Sequence, residues 1–254
     1  MARILITGSS TGLGLLAARR LADRGHDVTL HARNEERTGE LRTALPDAPV
    51  VFGDLSGLDG MRAVADQVND LGRHDAVIHN AAVYDQPQRV GTADGLSLTF
   101  AVNVLAPYLI TALMKRPERL VFITSGMHSG GTFNLADVQW ARRRWNWMAA
   151  YSDSKLYLTT LAFALARRWP EVRSNAVDPG WVPTRMGGAG APGDLEAGAA
   201  TQVWLAAGDD PAADVSGRFF YHRQAQQVPI DAERAEQQDA LLALCARLSG
   251  QAIG

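Results

Sequence analysis

Two side chains four residues apart on an α-helix leave neighbouring points of one face and can address the same partner. In the stretch AAYSDSKLYLTTLAFALARRW, which reads as a helix apolar along most of its length, that relation joins Tyr151 to Lys155. A free phenol titrates near ~10 and moves protons poorly at neutral pH. A fixed ammonium at ~5 Å favours the phenolate by roughly 3 kcal/mol at an effective dielectric of about 20, which draws the phenol toward the range where general acid–base work is efficient. The pair suits a reaction that needs a proton delivered or removed, such as hydride transfer to a carbonyl carbon, whose oxygen would otherwise be left as an alkoxide. A hydroxyl that steadies the developing charge completes such a site. Ser125, at the end of the apolar run RLVFITS, supplies one.

Hydride chemistry needs a carrier, and the first thirty-odd residues contain a place for one. TGSSTGLG, residues 7–14, lies between an apolar run and a helical pattern, so Thr7, Gly8, Ser10, Thr11, Gly12, Leu13 and Gly14 would bring backbone N–H groups and a helix N-terminus to a pyrophosphate. An ordinary tight turn is the bland alternative; three glycines at this spacing directly after a strand argue against it. Proteins preferring NAD usually end the second strand with an acid for the ribose hydroxyls. Here TLHARNEE has Ala32 in that place and Arg33 next, a guanidinium that can accept a 2′-phosphate. The expected cofactor is NADP(H), against the alternative that Arg33 is only a solvated surface group.

The elements that must position these groups alternate along the chain. Strand-like RILITG, DVTLHAR, APVVFGD and DAVIHNAA are followed by helical patterns over 13–24, 35–45, 58–71 and a long stretch ending at 115. RLVFITS, RSNAVDPG and GRFFYH supply three more strands. This rhythm predicts an α/β fold, a doubly wound, Rossmann-like parallel sheet of about seven strands with helices on both faces. One domain over 1–254 is expected, with a cofactor-binding half over about 1–125 and a substrate and catalytic half over about 126–254. Irregular stretches at 126–148 and 185–194 follow the fifth and sixth strands, where open α/β sheets bind ligands, and are expected to form the walls and a mobile lid of the pocket.

A chain of 254 residues, 46% hydrophobic, can bury a sizeable core. A net charge of -2 with both signs scattered gives no electrostatic reason to expect nucleic acid or an anionic membrane as partner. Cys245 is alone, which rules out a disulfide within the chain and suits a reducing compartment. The histidines show no metal-ligand spacing, so no metal is expected. The apolar run at the N-terminus meets a glycine turn too soon for a signal sequence or membrane span, and a cytoplasmic protein is expected.

In this order the motifs resemble the short-chain dehydrogenase/reductase family through nearly the whole chain. TGSSTGLG looks like its cofactor glycine motif, GDLS its acidic turn, HNAA its fourth-strand motif and YSDSK its catalytic Tyr-x-x-x-Lys, joined by Asn103 in AVNVLAP, Ser125 in FITSG and DPGWVPT after the sixth strand. FITSGMH, the insertion before Tyr151, SKLYLTTLAFALARR and the ending LEAGAATQVWLA…SGRFFYH are most similar to the NADP-dependent retinol-dehydrogenase-like branch. The resemblance implies that Tyr151 is the general acid/base, Ser125 orients the carbonyl oxygen, and Lys155 binds the nicotinamide ribose while acidifying the phenol. It also implies that Asn103 holds Lys155 and a relay water. Asp54 with Leu55 would meet the adenine, and Asn80, Ala81 and Ala82 would lie along the adenosine ribose. Pro179, Gly180, Val182 and Thr184 would border the nicotinamide, with Thr184 on its carboxamide. Ala82 stands where the family usually has glycine, and Asp178 where close relatives often have another residue.

The expected partner is a small-molecule carbonyl or alcohol. Helices leading from Asn103 and Tyr151 are apolar on more than one face, and in relatives such helices form a dimer interface, so a homodimer or homotetramer is expected, against the alternative that the same apolarity serves burial against the sheet alone. WARRRWNW, residues 140–147, interleaves aromatic and basic groups as single-strand binders do, yet its place beside the pocket favours a substrate wall or a packed insertion. His128 could line the pocket. The rival functions are a non-catalytic NADP(H)-binding redox sensor or scaffold, against which intact Ser125, Tyr151 and Lys155 argue, and an epimerase or dehydratase, for whose substrate domain the residues after Thr184 leave little room.

Overall fold

Short runs such as RILI are apolar at every position because parallel strands are buried on both faces. The computed structural model describes residues 1–254, apart from the side chains of Arg37 and Glu40. Its elements run β1 (Arg3–Ile6), α1 (Gly12–Asp23), β2 (Asp27–Ala32), α2 (Thr38–Ala44), β3 (Val50–Phe52), α3 (Leu58–Asp70), β4 (Ala76–His79), α4 (Leu98–Phe100), α5 (Ala106–Leu113), β5 (Arg119–Ile123), α6 (Trp147–Arg168), β6 (Arg173–Asp178), α7 (Leu195–Ala207), β7 (Phe219–Tyr221), β8 (Gln224–Gln226), α8 (Ile230–Glu233) and α9 (Ala235–Ser249). The sheet order is β3-β2-β1-β4-β5-β6-β7-β8. All neighbours are parallel except β8, which returns antiparallel along β7 after the His222–Arg223 turn. That exposed eighth strand, QAQ, is one more than the sequence pattern predicts, because it carries no apolar residue but one alanine.

Alternation along each strand divides the core. Ile4 and Ile6 join Ala17, Leu21 and Val203 under α1 and α7, whereas Leu5, Val77, Leu120 and Phe122 join Val64, Leu109 and Leu161 under α3, α5 and α6. The two helical layers hold the carboxyl ends of β1, β4, β5 and β6 in register, which is where the motif residues emerge.

Three details depart from the sequence reading. Residues 80–97 are irregular rather than helical, as Pro87, Gly91 and Gly95 would dictate, and helix resumes at Leu98. Between α4 and α5 the residues Ala101–Leu105 form a π-helical segment that contains Asn103. The apolar faces of α5 and α6 are covered within the chain by α9, with α8 also on α6, so burial accounts for the apolarity that pointed to a homodimer. No helix among the described residues is long and apolar enough to cross a membrane.

Four histidines lie inside this fold. His31, His74, His79 and His128 are each less than a twentieth exposed, and burial lowers the basicity of all four, for His79 to about 3. A histidine whose folded pKa lies below its unfolded value of about 6.5 supports the fold above that value and loses that support as pH falls toward the folded pKa. Urea melts are therefore expected to give lower stability at pH 5 than at pH 7.5, with His79→Phe reducing the difference. An unchanged difference in that variant would assign the acid response to other groups.

Candidate active site

Asn146 caps α6 by accepting from the Ala149 N–H at 3.0 Å, so the helix begins two residues before the stretch that identifies it in the sequence. Tyr151 and Lys155 follow on one face. The lysine ammonium lies 5.4 Å from the centroid of the tyrosine ring and donates to the Ile123 carbonyl, the last of β5, at 2.8 Å. Ser125, two residues beyond, stands near enough to the phenol to favour its ionised form, and its hydroxyl accepts from the Met127 N–H at 3.2 Å. A phenol, an ammonium and a hydroxyl thus meet at the carboxyl end of the sheet.

Burial changes the electrostatics expected from the sequence. Both side chains are almost completely enclosed, and desolvation disfavours their charged forms. The phenol is driven above its ordinary value, with Ser125 pulling it partly back, while Lys155 is lowered to about 7 with Asp178 opposing. The expectation that Lys155 draws Tyr151 toward neutrality is thereby corrected: the loss of water raises the phenol, and the same burial weakens the charge of the ammonium. Tyr151 is accordingly a fully protonated acid at neutral pH.

Asn103 does not reach Lys155. Its Oδ1 accepts from the Val83 N–H at 2.8 Å, and its Nδ2 donates to the Val83 carbonyl and the Ser154 hydroxyl, each at 3.0 Å. Ser154 donates in turn to the Tyr151 carbonyl at 2.7 Å. Asn103 is therefore a clamp between the segment after β4 and the catalytic helix.

The glycine turn is held from three sides. The Thr7 hydroxyl accepts from the Asn80 and Ala81 N–H groups at 3.0 and 3.1 Å, and Asn80 Nδ2 donates to the Thr7 and Gly8 carbonyls at 3.0 Å. Gly8, at φ 64°, donates its N–H to Nδ1 of buried His31 at 2.9 Å, and His31 Nε2 meets the Gly53 carbonyl at 3.0 Å. A Cβ on Gly8 would come within 2.8 Å of the Ala81 Cα, and one on Gly14 within 2.5 Å of Asn80 Nδ2. Thr11 extends at the N-cap of α1 without capping it, so the first N–H groups of that helix, at Gly12, Leu13 and Gly14, have no described protein partner.

The family model described as short chain dehydrogenase matches residues 2–193. The chain belongs to the short-chain dehydrogenase family. It is 40% identical to the short-chain dehydrogenase chry4 of Gibberella zeae, over 98% of each chain. Human retinol dehydrogenase 13 is 30% identical over 97% of this chain and 84% of its own, which places the protein close to the retinol-dehydrogenase-like branch. Among solved structures it is similar to BdcA in complex with NADPH, at 27% identity and a TM-score of 0.66, covering 86% of this chain and 91% of that one.

In this dehydrogenase the remaining motif residues surround the same end of the sheet. Arg33 and Asp54 leave the ends of β2 and β3 and face each other at 3.9 Å, both largely exposed. Leu55 and Val182 are buried, and Ala32 ends β2 with its methyl in the core. Thr184 lies against the glycine turn, 3.4 Å from where a Cβ on Gly12 would stand, and its hydroxyl accepts from the Gly187 N–H at 3.0 Å. The glycine-rich stretch 185–194 is bonded back to the residues that follow β6. Trp181 Nε1 donates to the Gly187 carbonyl at 2.8 Å and the Trp181 carbonyl accepts from the Gly193 N–H at 2.9 Å, closing the segment on itself.

Part of WARRRWNW packs inward, while Arg142 and Arg144 are exposed. The Arg143 guanidinium lies 3.7 Å from the centroid of the Trp140 ring and donates to Oδ2 of buried Asp153 at 2.8 Å, while Trp145 donates to the Gln86 carbonyl. These contacts tie the insertion to α6 and to the segment after β4. Three contributors escape sequence reasoning. His31 reads as a core residue because both its partners are backbone groups, Tyr84 packs edge-on against Tyr151 at 4.7 Å from an irregular segment, and Asp153 reads as a polar residue within YSDSK. Only Tyr84 leaves a trace, as an aromatic shortly after HNAA.

Proposed function

We propose that this protein is an NADP(H)-dependent oxidoreductase that transfers a hydride between nicotinamide and a carbonyl or alcohol carbon of a small molecule. The observation that carries the reading is the meeting of Ser125, Tyr151 and Lys155 at the end of the sheet that also bears a glycine turn whose first helix N–H groups have no partner among the described residues. Those N–H groups and the Gly8–Ala81 approach fit a pyrophosphate, which Gly8, Ser10, Thr11, Gly12, Leu13 and Gly14 would hold. Asp54, Leu55, Asn80, Ala81 and Ala82 would take the adenosine end, and Pro179, Gly180, Val182, Thr184, Tyr151 and Lys155 the nicotinamide end. A bound nicotinamide supplies or accepts the hydride.

The protein's own part is proton transfer and charge stabilisation. Ser125 donates a hydrogen bond to the substrate oxygen and holds its carbon in place. Tyr151, kept protonated by its burial, gives its proton to that oxygen in reduction and regains one in oxidation. Lys155, fixed by the Ile123 carbonyl, provides positive charge as negative charge grows. The test is NADPH consumption across a panel of aldehydes and ketones. NADPH binding without turnover on any of them would favour the sensor or scaffold reading.

Arg33 is 62% exposed at the mouth of the adenosine end, and Ala32 leaves no carboxylate at the strand terminus. A guanidinium there gives a 2′-phosphate a charge-assisted partner. Arg33→Asp is expected to weaken NADPH binding by about 10- to 100-fold, with little loss for NADH. Fluorescence titration of both nucleotides reads this, and unchanged NADPH affinity would remove Arg33 from the cofactor site.

A further inference from the structure

The active-site end of the sheet carries a carboxylate that the proton chemistry leaves unused. Asp178 is the last residue of β6, paired with Tyr221 of β7 and one step beyond the Ile123–Val177 pair. It therefore emerges beside the turn that begins at Ser125. Its Oδ1 accepts from the Gly180 N–H at 2.9 Å. Its Oδ2 stands 2.8 Å from the position a Cβ on Gly126 would take, so any side chain at 126 would displace it. No ion pair or second hydrogen bond is described for this carboxylate among the described residues. Its charge is felt by Tyr151, Lys155 and His128, from α6 and from the turn after β5, which brackets the carboxylate between those elements.

The surroundings are otherwise apolar and aromatic. Tyr84 packs edge-on against both Tyr151 and Trp147, at 4.7 and 5.0 Å. Met148, on the exposed side of the same helical turn, Trp181, one residue past Gly180, and Tyr221, whose ring lies 3.3 Å from a Cβ built on Gly180, are among the largest exposed apolar side chains of the protein. An apolar body can lie on these groups, but a carboxylate group beside the reacting carbonyl would meet Asp178.

We infer that Asp178 sets substrate choice: the site takes an apolar, aromatic ketone or aldehyde carrying a hydroxyl or ammonium donor next to its carbonyl, and rejects 2-oxo acids. The inference rests on the oxidoreductase reading above. The donor hydrogen-bonds to Oδ2 while Ser125 and Tyr151 hold the carbonyl oxygen, so one molecule is fixed at two adjacent atoms. A carboxylate in the donor's place brings like charges together without an intervening proton.

Three phenyl ketones that differ only beside the carbonyl test this: 2-hydroxyacetophenone, propiophenone, in which a methyl replaces the hydroxyl, and phenylglyoxylate. Binding to the NADP⁺ complex is followed by tryptophan fluorescence and turnover by NADPH consumption, in the natural protein and in Asp178→Asn. The hydroxyketone is expected to bind and react about 10- to 100-fold better than propiophenone, with phenylglyoxylate weakest. In Asp178→Asn the first ratio should shrink several-fold and phenylglyoxylate should gain. Because any effect of Asp178 on Lys155 acts alike on the two neutral ketones, the ratio between 2-hydroxyacetophenone and propiophenone isolates its contact with the substrate. Equal affinities, failure of all three to bind, or ratios unchanged in Asp178→Asn overturn the inference. Selective binding without NADPH turnover by any carbonyl compound would instead overturn the oxidoreductase reading and leave Asp178 as the selector of a binding site.

Discussion

Tyr151→Phe is expected to lower turnover with NADPH by about a hundred- to ten-thousandfold while leaving nucleotide affinity and the fold intact. The substitution removes one oxygen from a buried ring and leaves its edge contact with Tyr84 in place. At most one hydrogen bond of the phenol is at stake, so the stability change should stay within about 1 kcal/mol in either direction. What disappears is the proton. Because burial holds the phenol protonated throughout the neutral range, it is an acid ready for the reductive direction. Steady-state rates and a nucleotide titration on one preparation separate the two quantities. A variant that keeps full turnover would require the proton to come from elsewhere.

Lys155→Met is expected to divide function from stability. The ammonium is enclosed at the end of β5 with one described hydrogen bond, to Ile123, and its basicity is held down to about 7 from 10.5. That difference means the fold disfavours the charged form by about 5 kcal/mol, a penalty fully present below pH 7 and absent above about 10.5. Between those limits the unfolded chain binds more protons than the folded one, so the natural protein gains stability as pH rises. Methionine fills similar space without charge and forfeits one hydrogen bond worth about 1 kcal/mol. The variant should therefore melt at a higher temperature than the natural protein at pH 6.5, with the gap closing toward pH 10, while turnover falls by about a hundredfold or more and nucleotide binding weakens. A variant less stable at every pH, with activity retained, would make Lys155 a structural residue.

How much of this was legible beforehand follows from where the information lies. The β–α alternation can be read because strands buried on both faces leave apolar runs, and Tyr151, Lys155, Ser125 and the glycine turn can be read because their chemistry is a matter of residue type and spacing. Three kinds of feature were out of reach. The start of α6 at Trp147 depends on Asn146 as a cap within a run of arginine and tryptophan that favours no one structure. Asn103's bonds to Val83 and Ser154 depend on the π-helical turn and on the course of residues 80–97, neither of which has a periodic signature. The reversal of the Tyr151 prediction depends on how completely water is excluded, a property of packing from α6, β5 and the segment after β4 together. The close backbone approaches at Gly187 and Gly193 belong with these: composition shows that glycine is present, and only the folded chain shows what a side chain there would meet.

The imidazole of His31, gripping Gly8 on one side and Gly53 on the other, has a consequence for how a nucleotide arrives. A turn already braced by its neighbours surrenders little conformational freedom when an anion settles into it, so the entropic toll of association falls mainly on the incoming molecule rather than on the receptor. On the proposed reading, capture of a diphosphate there would depend mainly on diffusion and alignment.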